Sequence, residues 1–124
     1  ISGVPGVSNA AAIIHTLNRA DNSVIHEVVI QGCKLSGVNG TFKKFKKKKN
    51  GASYGKKGSW KGKSGLYKLD RKFGAWRIYI DYGNRQVHLY QNQTNSEVPP
   101  ENGWTAVEEG TLPAPCVLVK WRQN

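Results

Sequence analysis

The chain has 124 residues, 38% of them hydrophobic, and carries 19 Lys and Arg against 8 Asp and Glu for a formal net charge of +11. That length suits one domain with a core of moderate size, and twelve aromatic residues, four of them Trp, exclude a fully disordered chain. No run of roughly 18 apolar residues is present to form a membrane-crossing helix, and the absence of Met leads to the expectation of a processed chain.

The first 22 residues read as an N-terminal extension. Ser8 can cap a short helix in which Ala10, Ile13, Ile14 and Leu17 share one face. The same letters also read as a strand turning at Asp21-Asn22. From residue 23 to 124 the signals are those of a single β domain. "SVIHEVVIQG" is a strand ending at Gly32, and "VNGTFKKF" starts another after the turn at Asn39-Gly40.

A lysine-rich insertion follows at about residues 43–65. Between Lys43 and Lys72 there are twelve Lys and Arg71 against one acid, Asp70, while the rest of the chain has six basic residues and seven acids. The whole charge excess is therefore local, which implies a field aimed at a partner. A Lys/Gly/Ser stretch by itself reads as a solvated loop. Here Phe42, Phe45, Tyr54, Trp60, Tyr67 and Phe73 interleave the charges, which a mere linker does not need. The segment is expected to be mobile from Lys46 to about Gly58 and held to the sheet from Trp60 on.

Past the insertion the alternation resumes. "GLYKLD" is a short strand with Tyr67, Leu69 and Arg71 on one face. "AWRIYID" sets Trp76, Ile78 and Ile80 opposite Arg77, Tyr79 and Asp81, and "RQVHLYQ" sets Val87 and Leu89 opposite His88 and Tyr90. The "DYGNR" turn joins these two into a hairpin over residues 75–91. A short strand begins at Trp104, and "CVLVKW" closes the fold behind Pro113 and Pro115. Six to eight short strands with turns every 8–12 residues predict an all-β fold, a small antiparallel barrel or sandwich with a short N-terminal helix.

"VNGTF" (38–42), "WRIYI" (76–80), "LYQN" (89–92), "PPENGW" (99–104) and "PAPCV" (113–117) fall in order along this stretch. The series resembles a small β module of eukaryotic multidomain and extracellular proteins. Its pattern is V-N-G-x-Y, an aromatic strand, a Y-Y strand, P-P-x-x-G-W and P-A-P. The chain departs from it at Phe42, where the pattern has Tyr, and in the lysine insert. The resemblance implies an all-β interaction module and brings no catalytic residues.

The chemistry that the residues suggest is binding. Lys43, Lys44, Lys46, Lys47, Lys48, Lys49, Lys56, Lys57, Trp60, Lys61, Lys63, Lys68, Arg71 and Lys72 are the candidate ligand-binding set. Lys outnumbers Arg 14 to 5; Lys is a point charge where Arg is a planar fork, so low-specificity binding of sulfate, carboxylate or phosphate is expected rather than base reading. The expected function is non-enzymatic engagement of an anionic polymer or surface, with an acidic glycan or matrix as partner. The alternative is a structural subunit whose basic loop contacts RNA or an acidic neighbour. Tyr79, Tyr82 and Tyr90 are candidates for an aromatic platform, with ordinary packing as the other reading.

His15, His26 and His88 complete neither a zinc site nor a catalytic set, so no metal, cofactor or enzymatic activity is expected. Cys33 and Cys116 lie at the ends of two strand-like runs and are expected either to form one disulfide or to be buried free thiols. The sequons at Asn39 and Asn92 accord with an extracellular or secreted location. Delivery to an organelle matrix after loss of a transit peptide is the alternative.

Overall fold

The structure, a computed structural model, describes residues 23–48 and 51–123; the expected N-terminal helix lies outside them. They form one eight-stranded antiparallel sheet curled into a half-barrel. The strands are β1 (Ser23–Gln31), β2 (Gly40–Lys48), β3 (Gly51–Trp60), β4 (Lys63–Lys72), β5 (Ala75–Tyr82), β6 (Arg85–Asn92), β7 (Thr105–Ala106) and β8 (Cys116–Gln123). Their order is β7-β6-β5-β4-β3-β2-β1-β8, a meander whose last strand returns to pair with the first. A single 3-10 turn, Ser36–Val38, lies between β1 and β2.

Register explains which side chains become the core. Tyr54, Leu69, Ile78 and Tyr90 are successive cross-strand partners from β3 to β6, and all four are buried. The next row on this inner face is Lys56, Tyr67, Ile80 and Val87. Val28, Ile30, Phe42 and Val117 close the core from the β8-β1-β2 side. Each large apolar side chain fully removed from water contributes about 1.5–3 kcal/mol. Trp76 and Trp104 join this core, whereas Trp121 is half-buried.

The alternation expected for the β5–β6 hairpin holds on β5 but fails on β6. A bulge between the Ile78 and Tyr79 pairings sets Tyr90 opposite Ile78, so Leu89 and Tyr90 are both fully buried. The larger difference concerns the lysine segment. Residues 46–48 and 51–58, expected to be mobile, are strand: Lys46 to Lys48 pair with Ser53 to Gly51, and Tyr54 to Trp60 pair with Leu69 to Lys63. A ladder is made by backbone groups, so it tolerates a polar strand wherever both neighbours supply partners.

Because every pairing is antiparallel, the connections alternate between two ends of the sheet. The β1–β2, β3–β4, β5–β6 and β7–β8 connections share one end; β2–β3, β4–β5 and β6–β7 share the other. Two hairpins close through left-handed pairs, Lys61 (φ 48°) with Gly62 (φ 83°) and Phe73 (φ 55°) with Gly74 (φ 75°). Both are the I′ geometry that matches strand twist. For Lys61 and Phe73, which have a Cβ, that region costs about 1–2 kcal/mol.

Candidate functional site

The lysines gathered by the sheet come from residues that carry no acid. Positions 40–69, which span β2, β3 and β4 as far as Leu69, hold eleven Lys and neither Asp nor Glu. Pairing sets these strands side by side at about 4.8 Å, so lysines distant in sequence share one surface. Lys43, Lys57 and Lys72 are exposed on the outer face, whereas Lys44 and Lys63, the partners of the inward Tyr54 and Trp60, are exposed on the opposite one, and Lys61 is exposed in the β3–β4 turn.

One outer-face row runs through Lys120, Glu27, Lys43, Gly55, Lys68, Tyr79 and His88 on seven consecutive strands. Its lysines fall on alternate strands, roughly 10 Å apart. Glu27 is the only carboxylate of this row and has a lysine on either side of it. The acids nearest to the row are already engaged. Asp81 pairs with Lys68 at 3.1 Å. Asp70, 1% exposed, accepts from Arg77 Nε and Nη2 at 3.3 and 3.1 Å and from the Tyr79 hydroxyl at 2.8 Å. Burial, and after it that contact, hold the Tyr79 hydroxyl above its ordinary range.

Beside Lys57, Gly58, Ser64 and Gly65 leave the sheet bare of large side chains. An open groove of about 510 Å³ runs there, bounded by Asp81 and Tyr82. The glycines that looked like flexibility in the sequence serve packing. A Cβ on Gly58 would come within 2.7 Å of the Tyr67 ring, whose hydroxyl donates to the Ser59 carbonyl at 2.8 Å.

Several expected site residues do other work. Lys56 points into the sheet and donates to the carbonyls of Gly37 and Asn39 at 2.7 and 2.6 Å, with Tyr67 beneath it at 5.7 Å; burial lowers its pKa. Arg71 donates to the Ser96 carbonyl at 2.6 Å, and Lys68 is tied to Asp81. Trp60 is half-buried against the core, with Lys61 Nζ 5.6 Å from its ring and 3.6 Å from Glu109. Lys46, Lys47 and Lys48 lie in β2, while Lys49 is outside the described residues.

The aromatic trio does not share an exposed face. Tyr79 (2% exposed) and Tyr90 (0%) are buried, Tyr90 and Tyr82 lie on the Trp76 face, and Tyr79 lies on the other. The bulge in β6 is what moves Tyr90 inward.

Cys33 and Cys116 are unpaired, which corrects the expected disulfide. Cys116 is the partner of Gln31 and faces away from the inward Val117, whereas Cys33, beyond Gly32, turns into the core near Tyr90. The two thiols thus lie on opposite faces of the sheet, and burial raises the pKa of Cys33. The amide of Asn39 donates to the Cys33 carbonyl at 3.0 Å, and that of the buried Asn92 donates to the Asn102 carbonyl at 2.8 Å. His26 is exposed, His88 is half-buried with its ring 5.4 Å from that of Tyr79, and His15 is outside the described residues.

Comparison with protein-family models, curated proteins and solved structures returns no match for the chain.

Proposed function

We propose that the protein is a non-enzymatic binding module that engages an anionic polymer or surface, an acidic or sulfated glycan above all, through the β2-β3-β4 lysine surface. The observation that carries this reading is the acid-free block of residues 40–69 folded into three adjacent strands, with Lys43 and Lys57 exposed on the outer face and Lys61 and Lys63 exposed at the β3–β4 turn. Like charges held on a rigid ladder repel one another, and a polyanion relieves that repulsion while releasing its own counterions. The sheet supplies the cations as points on a broad face, which suits charge density more than sequence or sugar identity. The groove beside Lys57 offers room for one segment of such a chain.

The test is retention on immobilised heparin as salt is raised. The triple variant Lys43→Gln, Lys57→Gln, Lys63→Gln should elute at clearly lower salt, with the slope of log affinity against log salt reduced by roughly one per lysine. Lys34→Gln, exposed but outside the three strands, should change elution much less. Co-elution of the triple variant with the parent would overturn the proposal. Retention on an RNA column but not on heparin would favour a subunit that contacts RNA.

A further inference from the structure

Phe73 is the most exposed large apolar side chain among the described residues, at 92%, and it stands in a left-handed backbone conformation at φ 55°. Either fact alone is ordinary; together they are not. Its position is one that I′ turns fill with Asn, Asp or Gly, and an aromatic ring there contributes no burial to the fold. Neither backbone preference nor packing accounts for the residue.

The surroundings make the ring rigid at its base and cationic at its rim. Arg71 Nη1 and Trp76 Nε1 both donate to the Ser96 carbonyl, at 2.6 and 2.9 Å, fastening the β6–β7 connection against the hairpin. Lys72 Nζ lies 5.2 Å from the Phe73 ring. Arg71, Lys72, Phe73, Gly74 and Asn95 border an open hollow of about 290 Å³. The β2–β3 connection opens at this same end of the sheet, so the Lys46–Lys48 stretch of β2 runs toward it. The β6–β7 connection carries Glu97 and Glu101, of which Glu101 lies against the start of β8, its carbonyl accepting from the Val117 N–H at 3.0 Å.

We propose that this end of the sheet docks on an anionic lipid surface, with Phe73 as the apolar wedge and Lys72 and the β2 lysines as the electrostatic component. The reading rests in part on the lysine surface described above, since β2 belongs to both. A planar bilayer takes one apolar side chain below its headgroups while the surrounding cations stay at the charged interface. A single-stranded nucleic acid would instead stack successive bases along several aromatic rings in a groove. Here one ring stands alone at the tip of a two-residue turn, the shape of a wedge.

Phe73→Asn separates docking from folding, because Asn suits the left-handed position better than Phe. The variant should be at least as stable as the parent, its Tm higher by roughly 2–6 °C. It should lose about tenfold in affinity for vesicles of phosphatidylcholine with phosphatidylserine, measured by co-sedimentation. Vesicles of phosphatidylcholine alone should sediment little of either protein. Heparin retention of Phe73→Asn should match the parent, whereas the triple lysine variant with Phe73 intact should elute from heparin at lower salt.

Unchanged vesicle binding by Phe73→Asn would overturn the inference and leave the lysine surface standing. Absent heparin retention in the parent, with Phe73-dependent vesicle binding intact, would overturn the glycan reading and leave this one. Loss of RNA binding by Phe73→Asn without any effect on vesicles would assign the tip to nucleic acid and overturn the lipid proposal.

Discussion

Lys56 and Lys57 are neighbours in sequence with opposite fates, because successive residues of a strand face opposite sides of the sheet. Lys56 turns inward, where its ammonium satisfies two carbonyls around the 3-10 turn, and Lys57 is exposed on the outer face. Lys56→Met should therefore lower stability by about 2 kcal/mol in urea unfolding, since it strips a charged donor from two part-buried carbonyls. It should leave heparin retention nearly unchanged. Lys57→Gln should do the reverse, with stability within about 0.5 kcal/mol of the parent. Asp70 is the acidic counterpart of Lys56. Asp70→Asn removes the charge that Arg77, itself only 18% exposed, is held against. A loss of about 3 kcal/mol is expected in the same measurement.

At the scale of the element, β3 is where sequence and fold part. Its residues Gly51–Trp60 include only Tyr54 and Trp60 as large apolar side chains, and its two lysines and three glycines read as loop. The inner face of the strand takes Tyr54, Lys56, Gly58 and Trp60 in strict alternation, a parity present in the sequence but masked by composition. The reason for Gly58 lies on the next strand, where Tyr67 crosses over it. Gly58→Ala should cost about 2 kcal/mol by overpacking against a ring whose hydroxyl is pinned. In a Tyr67→Ala background the same substitution should cost much less, a coupling that a double-mutant cycle reads directly. Equal costs in the two backgrounds would rule out the packing account. The β5–β6 hairpin was legible because alternation and turn residues agree there; its bulge was not, since nothing in "RQVHLYQ" distinguishes Tyr90 inside from Tyr90 outside.

For the whole molecule, stability rests on the buried sheet interior and on no disulfide among the described residues. A reductant should leave the Tm unchanged. A thiol reagent should label the half-buried Cys116 in the native protein, and Cys33 only after unfolding. Alkali is the expected weakness. Burial pushes Tyr54 and Tyr90 up to about 12 from an ordinary value near 10, and holds Tyr79 above its ordinary range as well. Between those values the native chain keeps protons that the unfolded chain has released, so this stability is complete below pH 10 and is lost as pH rises toward 12. Lys56 acts in the opposite sense, since its pKa is lowered, but it is one group against three. Tyrosinate absorbance and loss of near-UV dichroism should therefore rise together in one cooperative step. Separate transitions would show that the tyrosines titrate within the folded protein.

By itself the sequence determined the β class, the placing of β1, the first part of β2, β4, β5, β6, β7 and β8, and the confinement of the charge excess to one quarter of the chain, because periodicity, turn residues and charge are local properties. Only the tertiary structure decided which lysines are presented and which are consumed inside, that the end of β2 and the whole of β3 are strand, and that the two thiols lie on opposite faces. Each of those outcomes depends on register, which is fixed by the neighbouring strand.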